Sequence, residues 1–168
     1  MIRHFFKLAW RRKDFAGATA ALVDAFTSYR SDPWSDPEII GRSLQLAVRV
    51  AGKDKALGAR LYDALGPVFA VYNSNLDRAR ARLELAHQLG GGRCLEALVP
   101  FEPFVPWNLE FLERRVACYQ LAQDPRKTGA ELDVATFRSE MPRSLFEAGE
   151  PPPPDPGEVG VPHGADLP

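Results

Sequence analysis

Three aspartates, Asp14, Asp54 and Asp124, each stand in a short break between two stretches of helical apolar periodicity, and this recurrence limits the chain to a small set of folds. The clearest copy runs through residues 107–141. Leu109, Leu112, Val116 and Tyr119 fall at helical spacing and predict a helix over 107–123. Asp124-Pro125 then supplies a capping side chain and a first-turn proline, and Ala130, Val134 and Phe137 give the next helix its own stripe. Leu112 and Phe137 are expected to be buried between these two helices. A turn this short obliges the helices to pack antiparallel.

Aligned on the three aspartates, the fourth residue onward is Ala18, Gly58 and Thr128, the eighth is Leu22, Tyr62 and Leu132, and the eleventh is Ala25, Leu65 and Ala135. Upstream, Phe6, Leu46 and Val116 share one position, and Leu8, Val48 and Cys118 another. Small residues where two helices approach, followed by larger apolar ones a turn or two later, suit an antiparallel hairpin.

The remaining stretches extend the pattern. Ile2, Phe5, Phe6, Ala9 and Trp10 predict a first helix over 2–13, and a second follows Asp14 until Asp32-Pro33 stops it. Trp34 falls in the ensuing loop. Ile39, Ile40, Leu44, Ala47, Val48 and Ala51 predict a third helix ending at Gly52, and Leu57, Leu61, Tyr62 and Leu65 a fourth that meets Gly66-Pro67. Val68 to Tyr72 is expected to resume as helix after a kink. Asn75 is the expected cap of a fifth helix carrying Leu76, Ala79, Leu83, Ala86 and Leu89, and Gly90-Gly91-Gly92 stops it. After a short sixth helix, Pro100, Pro103 and Pro106 recur every third residue and predict a polyproline-type connector that packs Phe101 and Phe104. No period-two run of β-branched residues persists, so the fold class is all-α: antiparallel αα-hairpins in succession.

The Lys13-Asp14-Phe15 turn with Ala18 and Ala25 resembles the second-helix pattern of the tetratricopeptide repeat family, and Tyr119 with Asp124-Pro125 resembles the turn region of another copy. The resemblance implies a small right-handed superhelix of about four hairpins, whose inner surface binds a protein or peptide segment.

Composition divides the chain in two. Seven of the 15 prolines lie in 151–168, a stretch with no Lys, Arg or aromatic residue. Such a segment cannot bury enough apolar surface to offset its ordering entropy, so 1–146 is expected to be the helical domain and 147–168 a disordered acidic tail. Five of the 22 acidic residues and none of the 21 basic ones belong to that tail, leaving 21 basic residues against 17 acidic in the body. A surplus this mild argues against nucleic acid as the main partner. Charges interrupt the apolar residues of 1–13, and no later run approaches the ~20 residues of a membrane span. Cys94 and Cys118 sit among apolar neighbours with no ligand-like spacing and are expected to be buried free thiols of a cytoplasmic protein.

No motif for catalysis emerges. His4, His87 and His163 are scattered without metal-ligand pairing, and Gly90-Gly91-Gly92 lacks the strand and the Lys-Ser/Thr ending of a phosphate loop. No catalytic residue, metal or cofactor is expected. Arg42, Gln45 and Arg49 on the third helix, with Arg78 and Arg82 on the fifth, are the candidate partner-binding residues: on the first helices of hairpins they would line a concave face and hold a partner's carboxylates. Arg80 and Glu84 have the spacing of an ordinary surface ion pair. The expected function is a non-catalytic scaffold for a protein or peptide partner, an acidic one included. The alternatives are a module using Arg11, Arg12, Lys13 and the arginine rows on nucleic-acid phosphates, or an accessory domain of a larger enzyme system. The oligomeric state is left open.

Overall fold

A computed structural model describes residues 12–90 and 92–140. The expected first helix, except its last two residues, lies outside them, as do the expected tail and its boundary with the body. Within the described residues the chain is all-helical: α1 (Phe15–Ser31), α2 (Pro37–Ala51), α3 (Lys55–Ala64), α4 (Asn75–Leu89), α5 (Gly92–Leu98), α6 (Leu109–Leu121) and α7 (Lys127–Glu140), with single 3₁₀ turns at Tyr72–Ser74 and Val99–Phe101. None of these helices is long and apolar enough to cross a membrane.

Side-chain caps set the helix starts. Asp14 Oδ1 accepts from the Gly17 amide at 2.8 Å, Asp36 from Glu38 at 2.8 Å, Asp54 from Ala56 and Leu57 at 2.8 and 3.0 Å, and Asn108 from Phe111 at 3.0 Å. Each satisfies backbone donors that the first helical turn leaves open. Lys13 and Gln123, immediately before two of the turn aspartates, adopt the left-handed conformation that reverses the chain between helices (φ 56° and 54°).

α2 and α3, α4 and α5, and α6 and α7 pair as hairpins, while α2 packs on α4, α1 on α3, and α6 on both α4 and α5. The even-numbered helices therefore follow one another along one side. The core lies between the layers and includes Leu22, Phe26, Ile40, Val50, Leu61 and Leu85, each fully buried. Phe26, Tyr29 and Phe69 form an aromatic cluster in it, with Tyr29 and Phe69 edge-to-face at 5.6 Å.

Residues 65–71 do not resume as helix. Pro67 cannot donate to a helical ladder, and the backbone groups of this segment are taken elsewhere. Arg78 donates to the carbonyls of Leu65 and Gly66, Asn75 holds both the amide and the carbonyl of Phe69, and the Ala70 amide donates to Tyr29 O at 2.8 Å. Asn75, expected as a helix cap, thus clamps the preceding loop. In the Pro100 to Pro106 connector a 3₁₀ turn buries Phe101 and leaves Phe104 89% exposed, so only one of the two phenylalanines packs. Trp34, in the α1–α2 loop, is 90% exposed.

The third hairpin corrects the register drawn from the sequence. The Ala18 amide bonds to Asp14 O and the Gly58 amide to Asp54 O, but the matching bond in the third turn runs from Ala130 to Arg126 O, because Pro125 lengthens the turn and α7 starts only at Lys127. The close-approach residue is therefore Ala130, which is buried, whereas Thr128 and Ala135 face solvent and Leu132 is 67% exposed. The spacing at Gly58 illustrates the constraint, since a Cβ there would lie 3.1 Å from Ala51 Cβ. Ala130→Leu is expected to cost about 1–3 kcal/mol by overpacking, and Thr128→Leu to stay within about 0.5 kcal/mol of wild type. Urea unfolding of the two variants checks this; equal losses would restore the register set on Asp124.

The expectation of free thiols is overturned: Cys94 and Cys118 form a disulfide that joins α5 to α6, their Cα atoms 5.3 Å apart. Both are fully buried, as their apolar neighbours implied. A sequence separation of 24 concealed the contact, which exists only because α5 packs against the next hairpin.

Candidate functional site

A recessed surface lies where α2, α4 and α6 run side by side. One hollow of about 350 Å³ is lined by Gly41, Leu44, Gln45 and Val48 from α2, by Asp77, Arg80, Ala81 and Glu84 from α4, and by Arg114 from α6. A second, of about 300 Å³, is lined by Arg80 and Leu83 from α4 with Asn108, Glu110, Phe111 and Arg114. Arg80 and Arg114 belong to both, so the two hollows adjoin along the α4–α6 junction. The recess has a local cause in sequence: Gly41 and Ala81 put almost no side chain where their neighbours would otherwise fill the gap, and a Cβ at Gly41 would meet nothing within 4 Å.

Its floor is apolar, through Leu44, Val48 and Leu83, and its rim carries both charges. Arg114 pairs with Glu84 across the helices and with Glu110 at 3.3 Å, and Arg80 lies 3.7 Å from Asp77. Arg80 does not pair with Glu84, as the spacing alone suggested, because Glu84 is taken by Arg114. Two arginines against three carboxylates make this a mixed-sign groove.

Of the residues singled out in the sequence, Gln45 lines the groove. Arg42 pairs with Glu38 one turn back along α2, and Arg49 is exposed near the end of the same helix. Arg78 and Arg82 occupy another side of α4. Arg78 is buried, bonding Asn75 Oδ1 at 3.0 Å and the two carbonyls at the end of α3; burial first, then the neighbouring Arg82 and Arg30 guanidiniums, lower its pKa. Arg82 stacks on the Tyr62 ring, 4.2 Å from its centroid, and pairs with Glu96 at 2.5 Å. Burial, partly offset by Arg82, pushes the Tyr62 hydroxyl up to about 12, while the bond from Arg82 holds the Glu96 carboxyl below its usual range. The continuous row of four arginines is therefore not assembled.

Arg80, Glu84 and Arg114 take the places the sequence reasoning assigned to Arg78 and Arg82. A signal for this exists: Arg78, Arg82 and Leu85 share one helix face by spacing, and Leu85 is fully buried. No protein-family model matches the chain, and neither a curated protein nor a solved structure shows significant similarity to it.

Proposed function

We propose that the chain is a non-catalytic binding module that receives a polypeptide segment of a partner protein along the α2, α4 and α6 face, its hairpins forming a small right-handed superhelix of tetratricopeptide-like type. The observation that carries this reading is the groove itself: three successive hairpins each contribute one helix to it, and it combines an apolar floor with charged groups able to change partners. The Arg114–Glu110 pair at the α4–α6 junction spans 3.3 Å, with the Glu110 side chain 80% exposed. An exposed pair of this kind contributes only ~0.2–1 kcal/mol. A partner carboxylate can therefore replace Glu110 on Arg114 at little cost, which favours an acidic side chain at that point of the bound segment.

Gly41→Trp tests the reading, because it adds bulk to the groove from a position where a Cβ meets nothing within 4 Å. Wild-type protein is used to retain its partner from host extract, and the purified partner is then titrated against both forms. Binding should weaken at least tenfold in the variant with its thermal midpoint unchanged. Equal affinity would place the partner elsewhere on the molecule.

A further inference from the structure

His87, Cys94 and Cys118 come from three different helices, α4, α5 and α6, yet a ring nitrogen of His87 and the two sulfur atoms all lie within 4.8 Å of one another. Both cysteines are fully buried. The Nδ1 atom is also shielded from solvent and makes no hydrogen bond, although His87 as a whole is only half-buried. A buried imidazole nitrogen without a partner is costly, and two sulfur atoms lie close to this ring. That combination of donors is the one that soft divalent cations select.

We propose that reduction of the Cys94–Cys118 disulfide opens a zinc site whose protein ligands are Cys94 Sγ, Cys118 Sγ and His87 Nδ1. A dithiol reductant supplies two electrons and two protons and itself closes to a disulfide; the Cys94–Cys118 sulfur–sulfur bond breaks to give two thiols. Zinc then displaces one proton from each thiol, and neutral His87 gives the Nδ1 lone pair while its ring proton stays on Nε2. Zinc holds sulfur at about 2.3 Å and nitrogen at about 2.0–2.1 Å, so tetrahedral donors stand roughly 3.5–3.8 Å apart. Donors already within 4.8 Å, on backbones 5.3 Å apart at the two cysteines, reach that spacing by side-chain rotation. Two thiolates neutralise the cation, which suits a buried position, and His87 stands in the last turn of α4, where the helix dipole favours positive charge. Water takes the fourth position from the side on which His87 meets solvent. The ion then ties α5 to α6 in the reduced state as the disulfide does in the oxidised one.

The experiment uses the full chain and the metals alone. Oxidised protein, and protein reduced with a phosphine and shown to hold two titratable thiols, are each mixed with cobalt and then with zinc in competition with a chromogenic chelator. The reduced form should bind one ion per chain, with the sulfur-to-cobalt charge-transfer band and intense visible bands of a tetrahedral site, and the oxidised form should show neither. His87→Ala, with an unchanged circular dichroism spectrum, should lower zinc affinity by at least the ~10- to 100-fold that even an outer-shell partner contributes. Reduced protein that takes up no cobalt would overturn the proposal. So would a reduced His87→Ala variant with wild-type affinity and spectrum.

Discussion

Arg78→Ala is expected to destabilise the protein by about 2–4 kcal/mol, a large fraction of the ~5–15 kcal/mol that holds a domain folded. The buried guanidinium donates to Leu65 O, to Gly66 O at 2.9 Å and to Asn75 Oδ1 at 3.0 Å. Hydrogen bonds from a charged donor contribute ~1.5–3 kcal/mol each, and a truncated side chain leaves carbonyls at the end of α3 without a partner. Two effects oppose the loss. Removing the charge relieves the desolvation that burial imposes and the repulsion from Arg82 and Arg30, which together lower the pKa of Arg78. The bonds outweigh these because three acceptors converge on one group, and because Asn75 in turn positions Phe69 against Phe26 and Tyr29. Arg78→Met keeps most of the apolar stem and should lose nearly as much, separating hydrogen bonding from packing. Urea unfolding midpoints of both variants check this. Midpoints equal to wild type would mean that water satisfies the Leu65 and Gly66 carbonyls and that the loop holds itself.

Arg78 also marks where reading the sequence stopped short. Periodicity and aspartate caps locate the helices within a few residues, since apolar spacing and side-chain caps are local properties of the chain: α2 through Ile40, Leu44 and Ala47, α3 through Asp54, α6 through Leu112 and Tyr119. What lies on the polar side of a helix is not local. α4 is covered by α2, α3, α5 and α6, so sides that look solvated in sequence are occupied, and Arg78 ends up as an internal tie. The same limit hid the approach of His87, Cys94 and Cys118, which depends on α5 turning back beneath the next hairpin. Pro125 had a smaller but similar effect: a two-residue delay in the start of α7 moves every side chain of that helix by more than half a turn.

Leu112→Ala is expected to cost about 2–5 kcal/mol and Phe137→Ala only about 1–2 kcal/mol, although both belong to the apolar stripes of the last hairpin. Leu112 is fully buried, in a hairpin that the main core reaches through Phe111, Cys118, Tyr119 and Ala130. Phe137 is half-buried, and its ring meets Trp107 edge-to-face at 6.0 Å near the surface. α7 buries only Ala130 completely, so this hairpin depends on few side chains. Its ties to the remainder include the Cys94–Cys118 disulfide, the Arg114–Glu84 and Arg115–Glu102 pairs and the packing of α6 on α4 and α5. Loss at Leu112 should accordingly be local. Amides in α6 and α7 should exchange with solvent much faster in Leu112→Ala, by about the factor of ten that each 1.4 kcal/mol represents, while those of α2 and α3 keep their protection. The disulfide limits how far the opened hairpin can move from α5, so α5 should hold intermediate protection in oxidised protein and lose it on reduction without metal. Uniform loss of protection from α1 to α7 would mean that the hairpin and the rest of the described chain unfold as one unit, with Leu112 part of a single cooperative core.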